Sequence, residues 1–362
     1  MIFPGSPYPI GIDISDDDVR AVQLRPRKGG LKIRGFFQQS LTGDGDPDDL
    51  ATVLKRIRKR RVFTGRRTVA LLPAGRVFCL PVRFTAETKE TVEAALVREA
   101  GKHLSYPAHE AIIDYPCLNP APDGANGYEA TVVGMHRPDS IPYTNALRRA
   151  GLDVAAIDFQ LSSLMRLHGF LHPEAAGDNT LLCHVGRRHT MLSAIGADRI
   201  LAHRRIQWGH ASLIDRLQTH FDQEDNVRQA QFLLETYGLA HDRHKDRPDN
   251  DGNHGETTPL YRTVYQVLTP LVEELVFEFQ RMIGYARSER SVTPFENIHL
   301  YGYGADIHGL DDYLAKRLGL PTRSVNPLHS DRIDPGEALD DLSAGAPYTL
   351  ALGLALRRLP WL

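Results

Sequence analysis

Apolar and polar positions alternate along the first forty residues in three short runs. They predict strands over Pro9–Ile14, Val19–Leu24 and Leu31–Ser40, with turns at Asp16–Asp18 and at "PRKGG". "DPDDLATVLKRIRKRR" opens on acids and closes on bases, the order a helix dipole favours. "RTVALLP" follows as another strand. From 76 to 135 the pattern suggests a small separate unit. It begins with the strand "RVFCLPVRF" and a helix over "TAETKETVEAALVREAGKHL", with Thr85 as its N-cap. Two strands follow, "EAIIDYPCLN" and "YEATVVGMH", joined by a Pro/Gly/Asn loop. A helix ending at Gly151 comes next, then a short strand feeding a helix over "DVAAIDFQLSSLMRLHGFL".

The opening pattern then recurs. "TLLCHVGRRHTMLSAIGADRILAHRRIQW" is again strand, tight turn, strand, Gly turn, strand. A shift of 171 positions lays Ile12 on Cys183, Asp13 on His184, Ser15 on Gly186 and Leu24 on Ile195. The apolar alternation coincides, and so do the turns, with opposite charge: Asp16, Asp17 and Asp18 against Arg187, Arg188 and His189. Two copies of one supersecondary unit imply two related domains. Two helices follow, then a polar loop "LAHDRHKDRPDNDGNHGETTP", then a long helical region expected to bend at Pro270. "NIHLYGYGADIHGLDDYLAKRLGLPTRSV" reads as strand, Gly turn, helix, strand, and an apolar helix closes near Arg358.

The 362 residues are enough for two or three domains, and 42% apolar with 24% charged residues is an ordinary globular composition. A net charge of −2 points to neither nucleic acid nor a strongly acidic partner. Cys79, Cys117 and Cys183 are far apart and form no CxxC, so neither a disulfide framework nor a zinc site is expected, and a reducing compartment fits. No basic leader and no run of ~18 apolar residues is present, so neither a signal peptide nor a membrane span is expected.

Candidate chemistry is sparse. In "YGYGADIHG", Gly302 and Gly304 make a GxG between strand and helix, where amides and a helix N-terminus approach a nucleotide. The next glycine, Gly309, misses the dinucleotide spacing. The plain alternative is a tight turn that needs glycine. "AGKHL" lacks the rest of a P-loop, and GxSxG and HExxH are absent. His241 and His244 sit in the polar loop without a matching ligand pair. "KRIRKRR" at 55–61, with Arg66 and Arg67, is either a site for nucleic acid or anionic lipid, or a solvated helix end. Asp13 is either a Mg²⁺ ligand through water or an inward acid paired with a neighbour. Arg187 and Arg188 are either a phosphate grip or a structural ion pair.

Duplicated strand–turn–strand units, a later strand–GxG–helix and a closing helix together describe an actin-like ATPase architecture. More narrowly, the chain resembles the PilM family of type IV pilus and pseudopilus assembly proteins over nearly its whole length. "GIDISDDDVRAVQL", "LVREAGKHLSYPAHEAIIDYPCLN", "GLDVAAIDFQLSSLMRL", "CHVGRRHTMLSAIGADRILAHRRIQWG", "IHLYGYGADIHGLDDYLAKRLGLPT" and "LALGLALRR" carry the resemblance, in order and spacing. It implies an α/β actin-like, ribonuclease H-like duplicated fold with two related domains around a cleft. The first domain would take 1–75 and 141–179, with a small inserted subdomain at 76–140. The second would take 180–210 and 293–345, with a helical subdomain at 211–292 and a mobile loop at 240–258. Residues 346–362 would pack back on the first.

The resemblance also implies Mg-ATP in the cleft, and here the chain departs from the pattern. Ser15 replaces a glycine, the three aspartates replace hydroxyl residues, His184 replaces an acid, Arg187, Arg188 and His189 replace small polar residues, and Tyr303 replaces a glycine. Asp13, Gly186, Gly302 and Gly304 remain as a residual nucleotide site. A carboxylate 4 Å from a phosphate charge costs ~4 kcal/mol at an effective dielectric near 20. Several such repulsions overwhelm the roughly 8 kcal/mol of a micromolar complex. The expectation is a degenerate site with no cofactor and no catalytic or metal-binding residues, ATP with Mg²⁺ being the alternative. Asp16, Asp17 and Asp18 either pair with Arg187 and Arg188 where phosphate would lie, or both turns are splayed into solvent and never meet. As in the family, the partner implied is the cytoplasmic N-terminal tail of a PilN-like inner-membrane protein. The tail would lie in a groove formed partly by the inserted subdomain, which puts the chain in the cytoplasm, peripheral to the membrane.

Overall fold

The computed structural model describes residues 8–41, 47–86, 90–121, 127–196, 199–222, 226–240, 257–290, 294–336 and 342–357. Along the chain these form β1 (Ile10–Ile14), β2 (Asp18–Arg27), β3 (Gly30–Ser40), α1 (Pro47–Lys59), β4 (Arg67–Leu71), β5 (Val77–Thr85), α2 (Val92–Gly101), β6 (Ala111–Pro120), β7 (Gly127–His136), α3 (Arg137–Arg149), β8 (Asp153–Ile157) and α4 (Gln160–Leu171). There follow β9 (Thr180–Val185), β10 (Thr190–Ile195), β11 (Ile200–Ile206), α5 (His210–His220), α6 (Val227–Thr236), α7 (Thr257–Arg290), β12 (Asn297–Gly302), α8 (Leu310–Leu318), β13 (Thr322–Ser324), β14 (Ile333–Asp334) and α9 (Thr349–Ala355). They fall into two compact units. One comprises Met1–Ala175, Ser330–Leu342 and Tyr348–Leu362, and the other Ala176–His329 and Ser343–Pro347.

The first unit carries a sheet of order β14-β3-β2-β1-β4-β8, the second one of order β11-β10-β9-β12-β13. Five strands correspond one to one, and the registers correspond as well. Ile10 faces Gln23 and Ile14 faces Val19 in the first hairpin. Leu181 faces Ala194 and Val185 faces Thr190 in the second, each pair 171 positions on. In both units the hairpin's first strand then pairs in parallel with a later strand, β4 or β12. The repeat inferred from apolar alternation is therefore a repeat of hydrogen-bond register, because side-chain period and register are the same property of a strand with one preferred face.

In the first unit Ile10, Ile12 and Ile14 pack with Leu50, Leu54 and Ile57 of α1 and with Leu147 of α3. The opposite face of β1 receives α9 so closely that a Cβ on Gly11 would lie 2.3 Å from the carbonyl oxygen of Ala351. Gly353 does the same for α4, where a Cβ would meet the Ser163 carbonyl oxygen at 2.2 Å, while the Ser163 hydroxyl donates to Leu350 O at 2.8 Å. Arg166 and Arg357 both reach the Asp158 carboxylate, at 3.0 and 3.1 Å, and tie α9 down. β5, β7 and β6 form a separate three-stranded sheet, with Val82, Phe84, Ala130 and Val132 packed on Ala95 and Leu96 of α2. The second unit's core joins Leu181, Cys183, Leu192 and Leu300 of its sheet to Leu268, Leu275 and Phe279 of α7 and Leu217 of α5.

One sequence expectation is corrected. Thr85 ends β5 and caps nothing; the cap of α2 is Thr91, whose Oγ1 accepts from the Ala94 N–H at 3.2 Å. The helix that precedes Gly151 starts at Arg137, with Pro138 in its first turn, where no intrahelical N–H is needed. α7 runs through Pro270 as one 34-residue helix. His241 and His244 lie outside the described residues. Among the described residues no helix is long and apolar enough to cross a membrane.

Candidate functional site

The turn of the first hairpin is closed by its own side chains. The Ser15 N–H donates to Asp18 O at 2.9 Å. The Ser15 Oγ accepts from the Asp18 N–H at 3.0 Å and from the Asp17 N–H at 3.3 Å, and donates to Asp18 Oδ1 at 2.7 Å. Two of the amides that such a turn would offer a phosphate are thus already bonded, by a hydroxyl standing where the resemblance has glycine. Asp18 is buried, and its second oxygen meets the Arg20 guanidinium two residues along β2. Arg20 also stands opposite Asp13 in the β1–β2 register, with Nη1 4.0 Å from Asp13 Oδ2. Sequence reading did not single out Arg20. The signal available was its position, opposite Asp13 and on the same face as Asp18.

Burial pushes the Asp13 carboxyl up to about 6, against the pull of Arg20 and helped by repulsion from Asp18. The ion pair and the raised value agree once burial is seen to outweigh a contact as long as 4.0 Å. Asp13 is thus a buried, inward-facing acid with a cation beside it. Asp16 is exposed and Asp17 half-buried.

The second hairpin is built on the same bond, Gly186 N–H to His189 O at 2.9 Å. Its carbonyls face the first turn of α5: Gly186 O accepts from the His210 N–H at 3.1 Å and Arg187 O from the Ala211 N–H at 2.8 Å. They satisfy helix N-terminal amides that would otherwise be open to an anion. Arg187 and Arg188 are exposed.

The glycine turn after β12 lies against this hairpin. Gly302 has φ 64 and ψ −150, a conformation open in practice to glycine alone, and a Cβ there would fall 2.4 Å from Val185 O and 2.9 Å from His184 Nε2. A Cβ on Gly304 would meet Val185 Cγ2 at 2.6 Å. Both glycines are required by the protein's own β9, whatever else binds. The Tyr303 ring stacks on His210, with centroids 4.7 Å apart and planes at 27°. Burial, with Arg187 nearby, depresses the His210 imidazole to about 4, so a neutral ring meets the phenol at neutral pH. Structure thus brings Gly186, Arg187, Gly302 and Gly304 together with Tyr303 and His210, and His210 was not foreseen. Beyond the turn, a pocket of about 210 Å³ is lined by Glu235, Asp306, Asp311 and Asp312, with no lysine or arginine among its lining residues.

A sequence profile of the family described as "Type IV pilus assembly protein PilM" matches residues 11–359. Among solved structures, the chain is similar to one of a "PilM-PilN type IV pilus biogenesis complex", at 21% identity over 96% of this chain and 98% of that one, with a TM-score of 0.75. It is also similar to the ethanolamine utilization protein EutJ from Carboxydothermus hydrogenoformans, at 12% identity over 98% and 90% of the two chains and a TM-score of 0.53. MreB5 of Spiroplasma citri bound to ADP matches at 14% identity over 95% and 94%, with a TM-score of 0.50. The expected fold is the one found: these likenesses place the chain among actin-like ATPase folds.

Proposed function

The chain belongs to the PilM family of type IV pilus assembly proteins, and from that premise we propose that it is a pilus-assembly scaffold whose nucleotide site is degenerate. The observation that carries the reading is the self-closed first hairpin. Its Asp17 and Asp18 amides are taken by Ser15, and its buried acids Asp13 and Asp18 are held by Arg20. The donor set does not fit Mg-ATP, since phosphate would meet Asp16 and Asp17 at a turn whose amides are in use. The four carboxylates of the pocket past Gly304 are a poor setting for phosphate as well.

The partner we propose is the cytoplasmic N-terminal tail of a PilN-like inner-membrane protein, which would hold this chain at the membrane from the cytoplasmic side. The similar solved complex is of PilM with PilN, and the β5–β7–β6 subdomain supplies a sheet whose α2-covered face is its own core. The tail would engage the rest of that subdomain. The test is calorimetry of the full chain with a synthetic PilN-like tail peptide and, separately, with Mg-ATP. Peptide binding without ATP binding supports the reading. Micromolar ATP binding overturns the degenerate site and leaves the actin-like ATPase alternative, and no peptide binding overturns the partner.

A further inference from the structure

The dense basic run of the sequence has a definite place in the first unit. Leu50, Ala51, Val53, Leu54 and Ile57 of α1 are buried in the core, which turns Lys55, Arg56 and Lys59 to the outer face. The chain leaves the helix into a turn carrying exposed Arg60, Arg61 and Arg66. That turn is held in place. The Gln23 side chain, 1% exposed, accepts from the Thr64 N–H and donates to Thr64 O, both at 2.8 Å. Arg60 lies over the buried Phe37 ring, 5.2 Å from its centroid. Lys55, Arg56, Lys59, Arg61 and Arg66 form no ion pair among the described residues. Arg67 sits beside Asp153 in the β4–β8 register. Favourable charge at a helix C-terminus is confined to the last turn, so it does not account for a patch that continues through 66. Val62, between these cations in the chain, is 44% exposed, and its side chain lies against Gly35 of β3.

We propose that this end of the first unit docks on an anionic bilayer, with the cations at the headgroups. The patch is a set of exposed cations, on one helix face and the turn that follows it, without ion pairs among the described residues. No exposed aromatic is interleaved for stacking on bases, since Phe37 and Phe63 are both buried. This contact needs neither nucleotide nor protein partner, and it is independent of the tail binding proposed above.

Co-sedimentation of the full chain with phosphatidylglycerol-rich and with pure phosphatidylcholine vesicles, at low and high salt, tests it. Binding is expected to the anionic vesicles alone and to fall with salt. The variant Lys55→Gln/Arg56→Gln/Lys59→Gln/Arg61→Gln should lose on the order of several hundredfold in partitioning, about fivefold per cation removed. The variant Arg228→Gln/Arg262→Gln/Arg287→Gln removes exposed charge from the other unit and should bind as the parent does. Circular dichroism of each variant separates loss of binding from loss of fold. Absence of anionic-vesicle binding by the parent, equal losses in both variants, or displacement by duplex DNA at concentrations far below those of lipid would each overturn the proposal, the last in favour of nucleic acid.

Discussion

The guanidinium of Arg20 reaches back two residues along its own strand to the carboxylate of Asp18, and the pair is buried. Strand period explains the meeting, since residues two apart share a face. With Asp13 opposite Arg20 on β1, one cation serves two buried acids. The surplus of negative charge in the first hairpin is therefore partly internal structure.

Arg20→Gln should be severe. It leaves Asp13 and Asp18 buried without their cation, and removal of one partner from a buried pair costs roughly 3–5 kcal/mol. Glu273→Gln provides the contrast. Glu273 takes two bonds from Arg317, at 2.8 and 2.6 Å, and one from the Tyr313 hydroxyl, yet Arg317 is half exposed. Solvent screening should hold that loss to about 1 kcal/mol or less. Urea unfolding of both variants checks the ranking, and a larger loss at Glu273 would contradict it.

Asp13 makes stability depend on pH. Its folded value, about 6, lies above its ordinary 3.8, so the protonated acid is the form the fold prefers. The contribution is fully present below about 3.8 and is lost as pH rises through 6. Asp13→Asn removes that dependence. The stability of the variant relative to the parent should rise between pH 4 and pH 7, by an amount on the order of 2–3 kcal/mol, in parallel unfolding series. A difference constant over that range would refute the assignment.

Gly302→Ala and Gly319→Ala separate conformation from space. Both glycines have positive φ, 64 and 66, but a Cβ at Gly319 meets nothing within 4 Å, whereas one at Gly302 lies 2.4 Å from Val185 O. Gly319→Ala should cost about 1–2 kcal/mol of left-handed strain. Gly302→Ala should add several kcal/mol from the clash and from moving β12 off β9. Thermal unfolding of the two proteins reads the difference directly.

The thiols should be slow. Burial, with Cys117 nearby, pushes Cys79 up to about 12, and burial also raises Cys183. Both are neutral at pH 8, where the thiolate is the reactive form. Iodoacetamide should label neither within the time that labels denatured protein, as mass spectrometry would show.

The sequence by itself determined the duplication, the order of the elements and the fold. Alternation at period two, repeated after 171 positions, encodes which face of each strand is buried, and burial of one face sets register. Helix caps were less legible: Thr85 and Thr91 both precede the helical pattern, and only the length of β5 decides between them. The destination of polar groups belonged to tertiary structure. Asp18 meets Arg20 on one strand, Ser15 folds onto the amides of its own turn, and Tyr303 stacks on His210 ninety-three positions earlier in the chain. Polar side chains have several partners within reach of their rotamers, and the choice is made by desolvation when the elements pack, which no spacing along the chain records.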